Sequence, residues 1–106
     1  MVYFVGAGPG AEDLITLRGA KLLEEADQVI YAGSLVNPKL LERCREGCRI
    51  LNSAVMTLED VIEAIQTAEE QGQMTVRLHT GDPGIYGAIR EQMNRLDALG
   101  IPFDVT

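Results

Sequence analysis

Apolar residues along this chain alternate between strand-like runs and helical spacing. Five short apolar runs have the length of strands, and they lie at residues 2–5, 28–31, 48–51, 74–78 and 103–106. Four intervening segments have helical spacing or helix-capping residues, and they lie at 14–26, 37–43, 57–71 and 86–99. The alternation predicts an α/β domain, a five-stranded parallel sheet with helices on both faces.

Several helix ends carry their own signals. Thr57 with Asp60 three residues later predicts a capped helix start, and Gly72 and Gly100 predict helix ends. In the first helix, apolar residues that include Leu17 and Leu23 recur at helical spacing, which is typical of a stripe facing the sheet.

Two glycine-rich turns follow predicted strands. The first glycine turn (residues 6–10) follows the first strand, and the second glycine turn (residues 81–84) follows the fourth. Ligands of parallel α/β sheets bind where strands end and helices begin. The two turns therefore indicate a ligand cleft.

The first glycine turn formally fits a dinucleotide fingerprint, with Gly6, Gly8 and Ala11 at the required spacing. However, Pro9 has no amide hydrogen to offer a pyrophosphate, and acids follow at residues 12–13. The second strand also leads into residues 31–34, which contain no acid for a ribose. A structural turn and a loop lining a cleft for an uncharged or cationic cofactor stay open, and the second is favoured.

The second glycine turn combines flexible backbone with one carboxylate. Gly81 allows close backbone approach, and Asp82 can accept hydrogen bonds from a ribose or an ammonium group or, alternatively, cap the following helix. Thr80 adds a hydroxyl, and Ile85 an apolar wall. His79 is interpreted as a structural histidine, since no serine or cysteine nucleophile accompanies it.

Charge and composition narrow the partners. The net charge of −7 argues against nucleic acid and anionic membranes. No apolar run approaches the length of a membrane span, and residues 1–5 lack the features of a signal peptide, which predicts a cytoplasmic protein. Cys44 and Cys48, with one histidine, are too few for a metal site, so reduced thiols are expected. The basic cluster at Arg43, Arg45 and Arg49 is interpreted as a solvated surface.

These motifs together resemble the tetrapyrrole methylases over all 106 residues. The matching segments are VGAGPG (5–10), DLIT (13–16), YAGSLV (31–36), MTLE (56–59), HTGDP (79–83), YGAI (86–89) and EQ (91–92). The segments at 31–36 and 56–59, and the residues flanking GDP, are similar to the branch of the family that methylates C11 of precorrin-4 or its cobalt form.

The resemblance implies a fold, a cofactor and a substrate. It implies strand order 3-2-4-1-5 and methyl transfer from S-adenosylmethionine to a tetrapyrrole, with no metal and no assigned catalytic residue. Contacts to S-adenosylmethionine carry over to Pro9, Thr80, Gly81, Asp82 and Ile85. Contacts to the tetrapyrrole carry over to Gly6, Gly8 and Gly10.

The resemblance also implies a longer protein. We expect residues 1–106 to be an amino-terminal domain cut near its edge, without the carboxy-terminal domain of the family. A homodimer is expected, with weak cofactor binding and no turnover by these residues alone. Two alternatives remain: another ligand-binding α/β domain, such as a dinucleotide-dependent reductase, and a non-catalytic oligomerising fragment.

Overall fold

A computed structural model describes residues 1–7, 17–31, 38–80 and 83–105, without side chains for residues 7, 38, 80 and 83–86. The described elements, in chain order, are β1 (Val2–Ala7), α1 (Leu17–Glu25), β2 (Gln28–Tyr31), η1 (Pro38–Arg43), β3 (Arg49–Asn52), η2 (Ser53–Val55), α2 (Leu58–Glu70), β4 (Thr75–Thr80), α3 (Pro83–Ala98) and β5 (Phe103–Val105). The two η elements are short 3₁₀-helices.

The strands form one sheet in the order β3-β2-β4-β1-β5, and every neighbouring pair is parallel. Both the α/β class and the order 3-2-4-1-5 are thereby confirmed. The two central strands, β1 and β4, pair over their full length from Val2↔Thr75 to Ala7↔Thr80. Parallel strands of this kind are buried on both faces, which explains their near-continuous apolar character.

Helices cover both faces of the sheet, and the alternation of side chains along each strand divides the core in two. Val2 and Phe4 of β1 pack with the buried faces of α2 and α3. Val5 of β1 packs on the opposite face with α1 and η1, through Leu23 and Leu40. Two core layers separated by one sheet follow directly from the period of two along a strand.

The helix ends form as their residues predict. The Thr57 side chain accepts the Asp60 backbone N–H at 3.1 Å, and the Thr57 N–H donates to the Asp60 carboxylate at 3.0 Å. This reciprocal pair satisfies two backbone donors at the start of α2. Gly72 and Gly100 follow α2 and α3 with φ near +70°, a conformation that glycine adopts without steric cost.

Three local expectations are corrected. The helix expected at residues 37–43 is a 3₁₀-helix over residues 38–43. A 3₁₀-helix rises about 2.0 Å per residue, more than an α-helix, so its six residues cover a greater length. Helix α3 begins at Pro83 rather than at residue 86, because proline suits a first helical turn. Leu17 is 92% exposed, since it lies on the opposite side of α1 from the buried positions Gly19 and Leu23.

Asp27 joins three strands at their amino ends. One carboxylate oxygen accepts the Met74 backbone N–H at 2.8 Å, just before β4, and the other accepts from Arg45, in the segment leading to β3. The Met74 hydrogen bond and the Arg45 guanidinium hold the pKa of the Asp27 carboxyl below its ordinary value. The ionised carboxylate is therefore the form that stabilises the folded chain.

Asp27→Asn is expected to lower the free energy of unfolding at pH 7 by about 1 kcal/mol, because it removes a charge-assisted interaction that solvent partly screens. Since the folded-state pKa is depressed, this contribution is present above the unfolded pKa of 3.8 and is lost as the pH falls through the folded value. Urea unfolding at pH 7 and pH 3 measures it. Asp97→Asn, an exposed change on α3, is the control, and an equal loss at both pH values would contradict the assignment.

Candidate ligand site at the carboxyl edge of the sheet

The carboxyl ends of β1 and β4 lie side by side. Gly6 pairs with His79, and Ala7 pairs with Thr80, in a parallel register. Adjacent strands are about 4.8 Å apart, so the chain leaves the sheet at two neighbouring points. The two glycine turns therefore start from one edge of the sheet, as the strand order implied by the resemblance predicts.

The predicted site residues divide between described and undescribed parts of the chain. Gly6 lies in β1, Thr80 is the last residue of β4, and Ile85 lies in the first turn of α3. The remaining predicted residues lie outside the described residues: Gly8, Pro9, Gly10, Gly81 and Asp82. The structure thus brings the backbone of Gly6 and Thr80 to one edge and leaves the other contacts as predictions.

Gly6 and His79 are paired residues on the adjacent strands β1 and β4 at this edge. A Cβ atom at Gly6 would lie 3.7 Å from His79 Cε1, which is an ordinary van der Waals distance. His79 itself is half-buried. Space next to the sheet therefore does not by itself require glycine at position 6.

Arg77 is a polar residue that the sequence patterns did not single out. It lies in the centre of β4 and is only 2% exposed. Its Nε donates to Gln92 Oε1 at 3.0 Å and Nη2 donates to Ser53 Oγ at 3.1 Å, while Nη1 donates to the carbonyls of Ile30 (3.3 Å) and Leu78 (3.1 Å). One feature of the sequence could have indicated this buried residue: Arg77 interrupts the apolar run of a predicted strand at residues 74–78.

No carboxylate pairs with Arg77 among the described residues, and all four of its hydrogen-bond acceptors are neutral. Burial lowers the pKa of Arg77 to about 10, so it keeps its positive charge at neutral pH. A buried charge without an opposite charge is costly, because the interior solvates it less well than water does.

A pocket of about 270 Å³ opens beside this guanidinium. We call it the Arg77 pocket, and it is lined by η2, the start of α2 and one face of α3, including Ser53, Thr57, Arg77, Ala88, Glu91 and Gln92. Because η2 directly follows the carboxyl end of β3, the pocket lies at the same edge of the sheet as the glycine turns.

Basic side chains elsewhere are largely engaged in contacts within the chain. Arg18 of α1 lies 3.4 Å from Asp104 on β5. In the cluster after η1, Arg43 approaches Glu24, Arg45 pairs with Asp27, and Arg49 donates to Gln28 and Gln73. All three arginines of that cluster are exposed, and Arg45 and Arg49 connect the segment around β3 to the start of β2.

The cysteines show no sign of reactivity. Both are free and half-buried, and burial raises the pKa of Cys44 to about 12 and raises that of Cys48. Both thiols are thus protonated at neutral pH and are poor nucleophiles. Within the described ranges, no cluster of three or more histidine, cysteine, aspartate or glutamate side chains is placed to hold a metal ion.

This combination defines a class of protein: a parallel α/β domain whose candidate ligand site lies at the carboxyl edge of its central strands. The chain matches the family of Tetrapyrrole (Corrin/Porphyrin) Methylases over residues 1–106, and it belongs to that family. No helix in the described part of the chain has the length and apolar character needed to cross a membrane.

Individual relatives agree with this assignment. A cobalt-precorrin-4 C(11)-methyltransferase of Methanocaldococcus jannaschii is 55% identical over 104 residues, which are 98% of this chain and 40% of the relative. The X-ray structure of a cobalt precorrin-4 methyltransferase superposes with a TM-score of 0.92 at 45% identity, covering 99% of this chain and 44% of that one.

A uroporphyrin-III C-methyl transferase of Thermus thermophilus, complexed with S-adenosylhomocysteine, has a TM-score of 0.78 at 31% identity. It is matched over 99% of this chain and 43% of its own length. The chain thus spans less than half the length of these relatives.

Proposed function

We propose that this chain is part of an S-adenosylmethionine-dependent methyltransferase that methylates C11 of precorrin-4 or its cobalt form. The observation that carries the proposal is the pairing of β1 with β4, which starts both glycine turns from one edge of the sheet. The C11 position is supported by the name of the relative that is 55% identical, a cobalt-precorrin-4 C(11)-methyltransferase.

The residues present fit a cationic methyl donor better than a phosphate-bearing cofactor. Neither glycine turn contains a lysine or arginine to bind phosphate, whereas Asp82 and the acids at residues 12–13 would attract a positive ligand. S-adenosylmethionine would supply an electrophilic methyl group on a positively charged sulfur. The chain itself would hold the two reactants in line, and such positioning accounts for much of the rate of a bimolecular step.

Each predicted residue has a place in this proposal. Thr80, Gly81, Asp82 and Ile85 would bind the cofactor from the β4–α3 connection, and Pro9 would do so from the first turn. The backbone of Gly6, Gly8 and Gly10 would face the tetrapyrrole. No residue is assigned as a catalytic base.

Calorimetry on the complete natural protein tests the proposal. We expect S-adenosylhomocysteine to bind and NADPH to show no heat of binding. Incubation of precorrin-4 and of cobalt-precorrin-4 with S-adenosylmethionine should then yield a product heavier by one methylene unit, detected by mass spectrometry. Binding of NADPH in place of S-adenosylhomocysteine would overturn the proposal in favour of a reductase.

Gly6→Ala separates a ligand role of Gly6 from a structural one. The added Cβ makes only ordinary contact with His79, and position 6 has no positive φ, so we expect stability to change by less than about 0.5 kcal/mol. If the tetrapyrrole lies against this backbone, KM for it should rise about tenfold, the equivalent of about 1.4 kcal/mol of lost contact. An unchanged KM would remove Gly6 from the substrate site, and thermal unfolding provides the structural control.

The remaining expectations concern the state of the protein. We propose that residues 1–106 alone bind the cofactor weakly and have no measurable turnover, because the relatives are more than twice as long. Detectable methylation by these residues alone would contradict this. We also propose a cytoplasmic homodimer, which sedimentation of the complete protein would test.

A further inference from the structure

The Arg77 pocket holds a charge that the described chain leaves unbalanced. A guanidinium has five N–H donors, and the structure accounts for four of them, leaving one donor on Nη2 without an acceptor among the described residues. Since Arg77 lines the pocket and is only 2% exposed, an acceptor entering from solvent meets a cation that the chain already holds in place.

Rigidity makes this cation a selective binding group. Contacts from Gln92, Ser53 and two strand carbonyls hold the guanidinium plane, so little side-chain freedom remains to be lost when a ligand binds. Ser53 Oγ in turn donates to the Tyr31 carbonyl at 3.0 Å, which fixes the hydroxyl that accepts from Nη2. Among the described residues, neutral acceptors thus take four of the five guanidinium donors, and no anion contacts the guanidinium.

The other groups around the pocket define which anion fits. The positive end of the α2 dipole lies at Thr57 and Leu58, which favours a negative ligand. The acids nearest to this helix end are already engaged: the Asp60 carboxylate accepts the Thr57 N–H in the capping box, and Glu59 accepts from Arg95 at 2.6 Å. Glu91 also lines the pocket and opposes high negative charge, so a singly charged carboxylate suits the pocket better than a phosphate.

We propose that the Arg77 pocket is a carboxylate subsite, in which Arg77 binds one acetate or propionate side chain of the tetrapyrrole. The identity of the substrate rests on the proposed function above, whereas the carboxylate chemistry rests on the pocket alone. A tetrapyrrole lying across the carboxyl edge of the sheet would place one acidic side chain between η2 and α3. Arg77 would then supply a positive charge to the acidic substrate, in a chain whose net charge is −7.

The first experiment probes the pocket directly, with sodium acetate as the ligand. In the complete natural protein labelled with ¹⁵N-arginine, acetate should shift the Arg77 Nε–H resonance in a saturable way, with sodium chloride at equal ionic strength as the control. Ala88→Leu fills the pocket from an exposed position of α3 and should weaken this binding about tenfold or more, since an Arg–carboxylate contact contributes about 1.5–3 kcal/mol. Ala98→Leu, on α3 but outside the pocket, should leave it unchanged.

Glu91→Gln provides a second test that needs no change to the buried arginine. Because it removes a negative charge from the pocket lining, acetate affinity should rise about threefold or more. An Arg77 resonance that does not respond to acetate, or responds equally in Ala88→Leu, would overturn the carboxylate subsite.

The second experiment identifies the source of the carboxylate. With the tetrapyrrole as substrate, Ala88→Leu should raise KM about tenfold, while the affinity for S-adenosylhomocysteine and the thermal midpoint stay unchanged. If acetate binds but KM is unaffected, the pocket serves a free carboxylate and the substrate assignment is wrong. Failure of the wild-type protein to bind S-adenosylhomocysteine would instead refute the proposed function, and the acetate result would be independent of it.

Discussion

Asp82→Ala is expected to weaken the binding of S-adenosylhomocysteine to the complete protein by about 100-fold. Under the proposed function, the Asp82 carboxylate accepts hydrogen bonds from the bound nucleoside or its ammonium group, and charge-assisted bonds contribute about 1.5–3 kcal/mol each. Asp82 directly precedes α3, which starts at Pro83, so it also has the sequence position of a helix cap. Isothermal titration calorimetry measures the loss of affinity.

Asp82→Asn separates the two roles of this residue. Asparagine caps helices about as well as aspartate, so this variant should retain the thermal stability that Asp82→Ala loses. It removes the negative charge, however, and the affinity for S-adenosylhomocysteine should still fall by about tenfold or more. If Asp82→Asn binds like the wild type and only stability responds to Asp82→Ala, the residue is a helix cap and not a ligand contact.

Phe4→Ala is expected to have the largest effect on folding, a loss of about 3–5 kcal/mol in the free energy of unfolding. Phe4 is fully buried at the centre of β1, between β4 and β5, and contacts the α2–α3 layer of the core. Its ring also meets Phe103 edge to face, with centroids 5.7 Å apart. Alanine would leave a cavity, and β1 cannot move to close it because the strand is hydrogen-bonded to a neighbour on each side. Urea denaturation followed by circular dichroism measures the loss of stability.

Phe103→Ala is the matched comparison for this prediction. Phe103 is half-buried on the edge strand β5, so its removal exposes less new cavity and should have a smaller effect. In a double-mutant cycle, the aromatic pair should show a coupling energy of about 0.5–1.5 kcal/mol. Equal losses from the two single variants would show that the core is not centred on β1.

Much of the fold follows from short-range patterns. Thr57 and Asp60 specify the start of α2 because capping involves residues only three apart, and the structure confirms both hydrogen bonds. Gly72 and Gly100 mark helix ends for an equally local reason, since each adopts a positive φ. The strand order came instead from the resemblance to a family, and the observed sheet confirms it.

Long-range packing explains what the patterns missed. Leu17 has the spacing of a core residue, but the side of α1 that is buried depends on where the sheet lies. Arg77 is the opposite case: it is a charged residue, but it is buried because it lies in a central parallel strand, where both faces of the sheet are covered. Its acceptors come from Gln92, Ser53 and two strand carbonyls, up to 47 residues away in sequence, so local spacing could not indicate them.

The sequence by itself determined the alternation of strands and helices, their capping signals and the two glycine turns, because each depends on neighbouring residues. The resemblance supplied the order that makes β1 and β4 neighbours, and only the tertiary structure gave the pairing of Gly6 with His79 and the burial of Arg77 beside a pocket. The physical reason is the pairing of β1 with β4 across more than 70 residues of chain, which brings distant segments to one edge. Local propensities do not encode such a pairing, which is selected by how both faces of the sheet pack.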